Sequence, residues 1–405
     1  MTVSLIGDGI FLVAIAWETY SLWNAPTALS VVGIGMTVPT IAFLLLGGVV
    51  SDRHDRRVVM AWADGLRAVA VALLAALVLF DALRFWELVG IVAVYGAGSA
   101  FFMPAFEAIV PELLPGSQLP SANALDQFVR PIALRLVGPA AGGALVAVSA
   151  GFAFALDAAS FAVSLVAVLA IAPRPRQRID SEVSTAVALR EGLRFVRRHV
   201  WLWGTLVSAA IAYLVFLGPT EVLLPFVVKN TLHASAGTLG LVLAAGGLGA
   251  VGAAAFVGQR GHPRRDVTVM YLTWTVATLA IAGYGLATAA WELMLACLVF
   301  NALEAAGTIV WATIKQRHVP GAMLGRVSSL DWLISIGFLP LSFALTGPVA
   351  AAIGVRATLV GAAVVGAAVT FGAYLLPGMR AIERPADRLH DALPVPTSGA
   401  SGVTR

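Results

Sequence analysis

Gly48-Val49-Val50-Ser51-Asp52-Arg53-His54-Asp55-Arg56-Arg57 separates two apolar runs, 30–50 and 59–80, and crowds its charged side chains into one short turn. Each flanking run is about 20 residues, the length an α-helix needs to cross some 30 Å of hydrocarbon. A turn this short leaves the two runs antiparallel, so the stretch is the polar tip of a hairpin of two spanning helices.

Working outward, ten more runs repeat the pattern. They fall near 3–23, 87–108, 122–147, 151–172, 201–227, 237–258, 267–287, 291–314, 327–352 and 356–377. The runs are about twice the length of a barrel strand and do not alternate in polarity, so helices, which satisfy their own backbone, are the form that lipid permits. Composition agrees: 59% of the 405 residues are hydrophobic and 12% charged, against about a quarter charged in a soluble domain. The expected fold is an all-α membrane protein of twelve transmembrane helices. The first run lacks a basic lead-in and a small-residue cleavage site, and is expected to stay as an anchor.

Basic residues orient the bundle. Of 26 lysines and arginines, Arg67, Arg130 and Arg135 fall within spans, Arg84, Lys229 and Arg356 fall on one side, and the remaining 20 on the other. The positive-inside rule makes the crowded side cytoplasmic, with both termini there, and places the protein in the cell membrane (inner or plasma), with the lipid bilayer as its first partner. The net charge of +4 is spread over these loops with no interleaved aromatic-basic surface, so no nucleic-acid partner is expected.

The longest polar stretch divides the chain. Residues 1–172 form a first six-helix bundle. Residues 173–199 form a cytoplasmic linker that ends in a short basic amphipathic helix around Leu193-Arg194-Phe195-Val196-Arg197-Arg198, either lying on the inner leaflet or simply solvated. Residues 200–378 form a second six-helix bundle, and 379–405, rich in Pro, Ser and Gly, a disordered cytoplasmic tail. A repeat supports the division: Val110-Pro111 and Val319-Pro320 stand 209 residues apart, as do Gly138-Pro139 and Gly347-Pro348. Two pseudo-symmetric parallel halves suit alternating access about a central site.

The 48–57 stretch also resembles the loop signature of the major facilitator superfamily: glycine, three residues, aspartate, arginine, two residues, two basic residues. Asp55 stands where that family usually has glycine. The resemblance implies the superfamily fold and makes Gly48, Asp52, Arg53, Arg56 and Arg57 a cytoplasmic gating motif, its partner being the start of the eleventh helix near Arg326–Ser329. Glycine would admit a close helix approach, and the arginines would clamp carboxylates. Read bare, the loop is positive-inside topology. In the fifth helix Gly138, Pro139, Gly142 and Gly143 resemble the core of an exporter motif, although Val129 occupies an expected glycine; the alternative is close helix packing. Val92 stands where drug–proton antiporters carry an arginine. With Asp157-Ala158-Ala159-Ser160-Phe161 and Gln316-Arg317-His318, the whole resembles the branch of enterobactin and macrolide exporters, over residues 3–378, and implies a monomer.

Charges inside spans are expensive on insertion scales, about 3 kcal/mol each, and mark pairing or function. Asp64 with Arg67, and Asp126 with Arg130, have the spacing to pair on one helix face, a structural role near the cytoplasmic surface. Asp8, Glu18, Glu221 and Glu304 have no opposite charge within reach on their own helices. They fall on helices 1, 7 and 10, which the resemblance places around the central cavity. Glu304, with Asn301 one turn before it, leads as the proton or substrate residue; packing by a neutral carboxyl is the alternative. Trp17, Tyr20, Trp203, Tyr213, Phe216 and Trp311 could stack on a substrate or belt the interface.

Gly247-Leu248-Gly249-Ala250-Val251-Gly252 satisfies a dinucleotide pattern but lies within an apolar run with no strand before it, so helix packing explains it. The six histidines and the single Cys297 lack ligand spacing, and no catalytic constellation is visible, so neither an enzyme nor a bound cofactor or metal is expected; the proton gradient is the energy source. The expected function is secondary active, proton-coupled efflux of a small molecule such as a drug, macrolide or siderophore. The competing readings are an importer of the same fold and a transport-inactive membrane sensor or scaffold.

Overall fold

The computed structural model describes residues 2–115, 118, 125–126, 128–172, 185–260 and 265–383. Among them there is no strand. The helices are α1 (Thr2–Leu22), α2 (Ala28–Arg53), α3 (Arg56–Leu79), α4 (Phe85–Leu113), α5 (Phe128–Val148), α6 (Ala150–Leu169), α7 (Val200–Thr231), α8 (Ala236–Arg260), α9 (Asp266–Leu286), α10 (Ala290–His318), α11 (Gly321–Gly337 continued by Leu339–Ile353) and α12 (Val355–Tyr374). Eleven are long and apolar enough to cross a membrane, and α2 is apolar over Ala28–Leu44. Their outward faces carry large bare side chains, Trp62, Phe80 and Val148 among them, as lipid-facing surface requires.

A linker helix, Thr185–Arg198, precedes α7. It does not stand free: Val196 is buried, Glu191 pairs with Arg326 of α11, and an added Cβ at Gly192 would lie 3.1 Å from the Arg326 Cβ. Arg190, Arg194, Arg197 and Arg198 remain exposed. Packing also runs past 378 into the first residues of the expected tail, because Met379 is fully buried and Glu383 accepts hydrogen bonds from the Thr268 backbone N–H (2.6 Å) and hydroxyl (2.9 Å). Residues 173–184 and 384–405, where the rest of the linker and tail were expected, lie outside the described residues.

The buried apolar side chains show how the halves meet. On the side of Trp23, Lys229 and Ala350, one continuous core joins residues of both halves, from Ile10 and Leu29 to Phe216, Leu239 and Phe343. On the linker side the core splits into two separate clusters, Val59, Met60 and Ile109 in the first half and Leu202, Trp311 and Val327 in the second. The halves are therefore packed together on the far side and parted on the linker side.

Glycines allow that far-side packing. Cβ atoms built on Gly138 and Gly142 of α5 would lie 2.7 Å from the Gly9 Cα and 2.9 Å from the Ile10 Cα of α1, and one on Gly143 would lie 2.8 Å from the Gly240 Cα of α8. The 138–143 motif is thus a backbone-to-backbone seam, with its last glycine crossing between halves.

Candidate functional site

A cavity of about 530 Å³ lies between the halves. Its walls come from α1 (Leu12, Ile15, Ala16), α2 (Val32, Met36), α5 (Leu134, Arg135, Pro139), α7 (Tyr213, Phe216, Glu221), α10 (Phe300, Asn301, Glu304) and Ser335 of α11. A few polar groups on an apolar wall, at this volume, is the makeup of a small-molecule site.

Local helix geometry delivers the charges. Ile132–Val137 of α5 and Pro219–Leu223 of α7 are π-helical turns, where one extra residue widens the helix. Arg135 lies in the first and Glu221 in the second, so each half contributes an opposite charge to the cavity from a bulged turn. Proline enforces these bulges: Pro139 follows the first and Pro219 begins the second, and neither can donate a backbone hydrogen bond. On α10, Glu304 accepts from the Thr308 hydroxyl at 3.0 Å, and the Asn301 amide donates to the Cys297 carbonyl at 2.9 Å.

Of the sequence-predicted residues, the structure gathers Glu221, Asn301 and Glu304 around this cavity with Tyr213 and Phe216. Asp8 lies elsewhere, accepting from the Tyr95 hydroxyl at 2.6 Å within the first half. Glu18 does not line the cavity; it follows Trp17, whose ring lies 4.9 Å from the Lys229 ammonium, near the far-side seal. Tyr20 belongs to that seal, donating to the Val222 carbonyl at 2.6 Å, and so do Asn24, which donates to Asn230 at 2.7 Å, and Lys229, which donates to Ser21 at 2.8 Å. Trp311 donates to Asp331 at 3.0 Å, where Lys315 also pairs, bracing α10 to α11. Trp203 is exposed on α7.

Two arginines of the gating motif tie it to its own half. Arg56 pairs with Glu112 and donates to the Ala108 carbonyl of α4 at 2.8 Å, and Arg57 donates to the Ile171 carbonyl. All three contacts stay within the first half. Arg53 is exposed, and the Asp52 side chain lies outside the described residues. The close helix approach expected of Gly48 belongs instead to its neighbour: a Cβ on Gly47 would lie 3.1 Å from the Phe101 Cα, whereas Gly48 has nothing within 4 Å. With the halves apart on this side, Gly48 faces open space.

The ion pairs Asp64–Arg67 and Asp126–Arg130 (3.2 Å) both form. The first is not a surface pair, since Asp64 and Arg67 are buried and Asp64 also accepts from Ser164 at 2.7 Å. Sequence reading places Arg135 among the spanning charges and Asp157 in a family-like stretch but gives neither a site role. Each was legible as a spanning-helix charge with no opposite charge three or four residues away.

Comparison with known proteins agrees with this geometry. A family model described as transmembrane secretion effector matches residues 1–397. The enterobactin exporter EntS of Citrobacter koseri is 27% identical over 342 residues, covering 81% of this chain and 78% of EntS. The uncharacterized MFS-type transporter YfiS of Bacillus subtilis is 26% identical over 295 residues, covering 71% of this chain and 67% of its own. Among solved structures, a bacterial homologue of the iron transporter ferroportin in an inward-facing state superposes with a TM-score of 0.68 at 16% identity, covering 93% of this chain and 97% of that one. The nucleoside transporter NupG superposes with a TM-score of 0.67 at 12% identity, covering 92% and 97%. Two parted helical halves around a central cavity, a matching family model over nearly the whole chain and these neighbours together place the protein in the transmembrane secretion effector family of major facilitator superfamily transporters, as a multi-pass membrane protein rather than an enzyme.

Proposed function

We propose that this transporter is a proton-coupled exporter of small molecules that works by alternating access, as a monomer in the cell membrane with both termini in the cytoplasm. The observation that carries the reading is the cavity between the halves, sealed through Tyr20, Asn24, Lys229 and the Gly143–Gly240 crossing and parted on the side where arginines crowd. On the positive-inside rule that parted side is the cytoplasm, where an exporter loads. In the other state the 48–57 turn would meet α11 and close the cytoplasmic side, Gly48 having open space over it for that approach.

Glu304, Asn301 and Glu221 bind the substrate's polar groups, with Arg135 opposite, while Tyr213, Phe216 and Phe300 pack its apolar body. Export is favoured by the glycine–proline seam of α5 and by the relatives named as enterobactin exporters, whose cargo makes siderophore-like compounds the first to try. The test is flux into inverted vesicles driven by a proton gradient, over a panel of dyes, macrolides and siderophores, for the native protein and Glu304→Gln. Uptake that an uncoupler collapses and the variant loses is the expected result. Gradient-driven movement only in the opposite sense would make the protein an importer and overturn the proposal.

A further inference from the structure

A second polar cluster lies in the first half, apart from the cavity. Asp157 of α6 is fully buried; its Oδ1 accepts from Ser160 at 3.2 Å, and its Oδ2 has no hydrogen-bond partner. Gly7 of α1 packs directly on Asp157 and Ser160, so that Asp8 comes within electrostatic reach of Asp157. Asp8 accepts from Tyr95 of α4, whose ring stacks on Phe11 at 4.6 Å.

The cations facing this pair are committed elsewhere. Arg67 of α3 pairs with Asp64, and its guanidinium lies 4.4 Å from both the Phe102 and Phe161 rings, with its Nε lacking a partner. Arg130 of α5, which also reaches Asp8 electrostatically, is held by Asp126 at 3.2 Å. Two buried carboxyls, Asp64 and Asp157, and the part-buried Asp8 therefore share one buried guanidinium. An ionised carboxylate taken out of water without a paired cation is strongly disfavoured, and a proton removes that cost. The free Oδ2 of Asp157 is an oxygen with room for one.

We propose that Asp157 and Asp8 form a proton-binding site of the transport cycle, separate from the substrate cavity, and that α1 carries its occupancy to the far-side seal. The proposal rests on the proton-coupled reading above. With a proton bound, Gly7 can lie against Asp157 as it does here. With the proton released, two adjacent carboxylates repel, and α1 shifts against α6. The same helix presents Leu12, Ile15 and Ala16 to the cavity and Tyr20 to Val222, so displacement at its first turns is felt at the site and the seal. No bond other than O–H is made or broken: the proton enters from one side of the membrane and leaves to the other.

The test needs no substrate. Pulsed EPR distances are measured as pH is varied in lipid nanodiscs, on the full chain with Cys297→Ser, using spin labels at Ala82→Cys with Ala351→Cys on the far side and at His54→Cys with Gln259→Cys on the linker side. The native background should shift its distance distribution with pH. Asp157→Asn, which keeps the Ser160 bond and the side-chain shape, should lose that shift, and Asp8→Asn should do likewise. If Asp157→Asn does not fold, Asp8→Asn decides alone. A full pH shift in the folded aspartate variants overturns the site while leaving proton coupling standing. A native background indifferent to pH overturns both.

Discussion

The Gly143–Gly240 crossing offers a sharp perturbation, because everything that a new side chain would meet there is backbone. A Cβ on Gly240 would lie 2.5 Å from the Pro139 carbonyl oxygen, 2.7 Å from the Gly143 Cα and 3.0 Å from the Gly143 N. No rotamer can swing away, so Gly240→Ala must push α8 from α5. Overpacking of this kind costs about 1–3 kcal/mol. The cost falls on the state with the far side sealed and is relieved when the halves part there. That difference multiplies the ratio of far-side-open to far-side-sealed molecules by roughly 5 to 150. The Ala82/Ala351 spin-label pair reads the ratio as the weight of the longer distance. Gly252→Ala, on the same helix with nothing within 4 Å, is the control and should leave the distribution unchanged. An unchanged distribution in folded Gly240→Ala would refute the claim that this crossing is a separable seal.

Further outcomes follow from named contacts. Arg67→Met should lower stability in detergent by about 3–5 kcal/mol, read as a fall in melting temperature, because it leaves Asp64 buried and unpaired; Arg67→Met with Asp64→Asn should recover most of it. Asp331→Asn should loosen the brace from Lys315 and Trp311 to α11 and cost about 1–3 kcal/mol in the same assay. Gly48→Ala should leave melting of the present state unchanged, since its Cβ meets nothing, but should slow flux if the gating motif closes on α11 in the other state. Arg135→Gln should weaken binding of anionic compounds more than that of neutral ones of equal size, measured by competition for uptake.

The helices were legible in the sequence because spanning lipid imposes one length and one polarity; the expected run 59–80 and α3 at Arg56–Leu79 differ by the polar turn at the start and one residue at the end. The charges were legible as single facts but not as groupings. Asp64 and Arg67 announced their pairing by spacing, yet spacing within one helix says nothing about depth in the bundle, and they proved buried among α4 and α6. Asp8 and Glu304 share the same sequence signal and end in different places, one in the first half's interior and one in the cavity, because that outcome is set by how α1 and α10 are rotated. The bulged turns that present Arg135 and Glu221 leave only proline as a trace. Gly47 and Gly48 are indistinguishable in sequence, and the side of α2 that meets α4 chooses between them.

The central claim is that the far-side seal must open during transport. Asn24 and Asn230 touch across it at 2.7 Å through their side-chain tips, so Asn24→Cys with Asn230→Cys, in the Cys297→Ser background, can be joined by a short bis-methanethiosulfonate cross-linker that spans the two thiols and is cleaved by reduction. The measurement is dye flux before cross-linking, after it and after reduction. The account predicts that the cross-link stops flux and that reduction restores it; undiminished flux through the fully cross-linked protein would contradict alternating access at this seal.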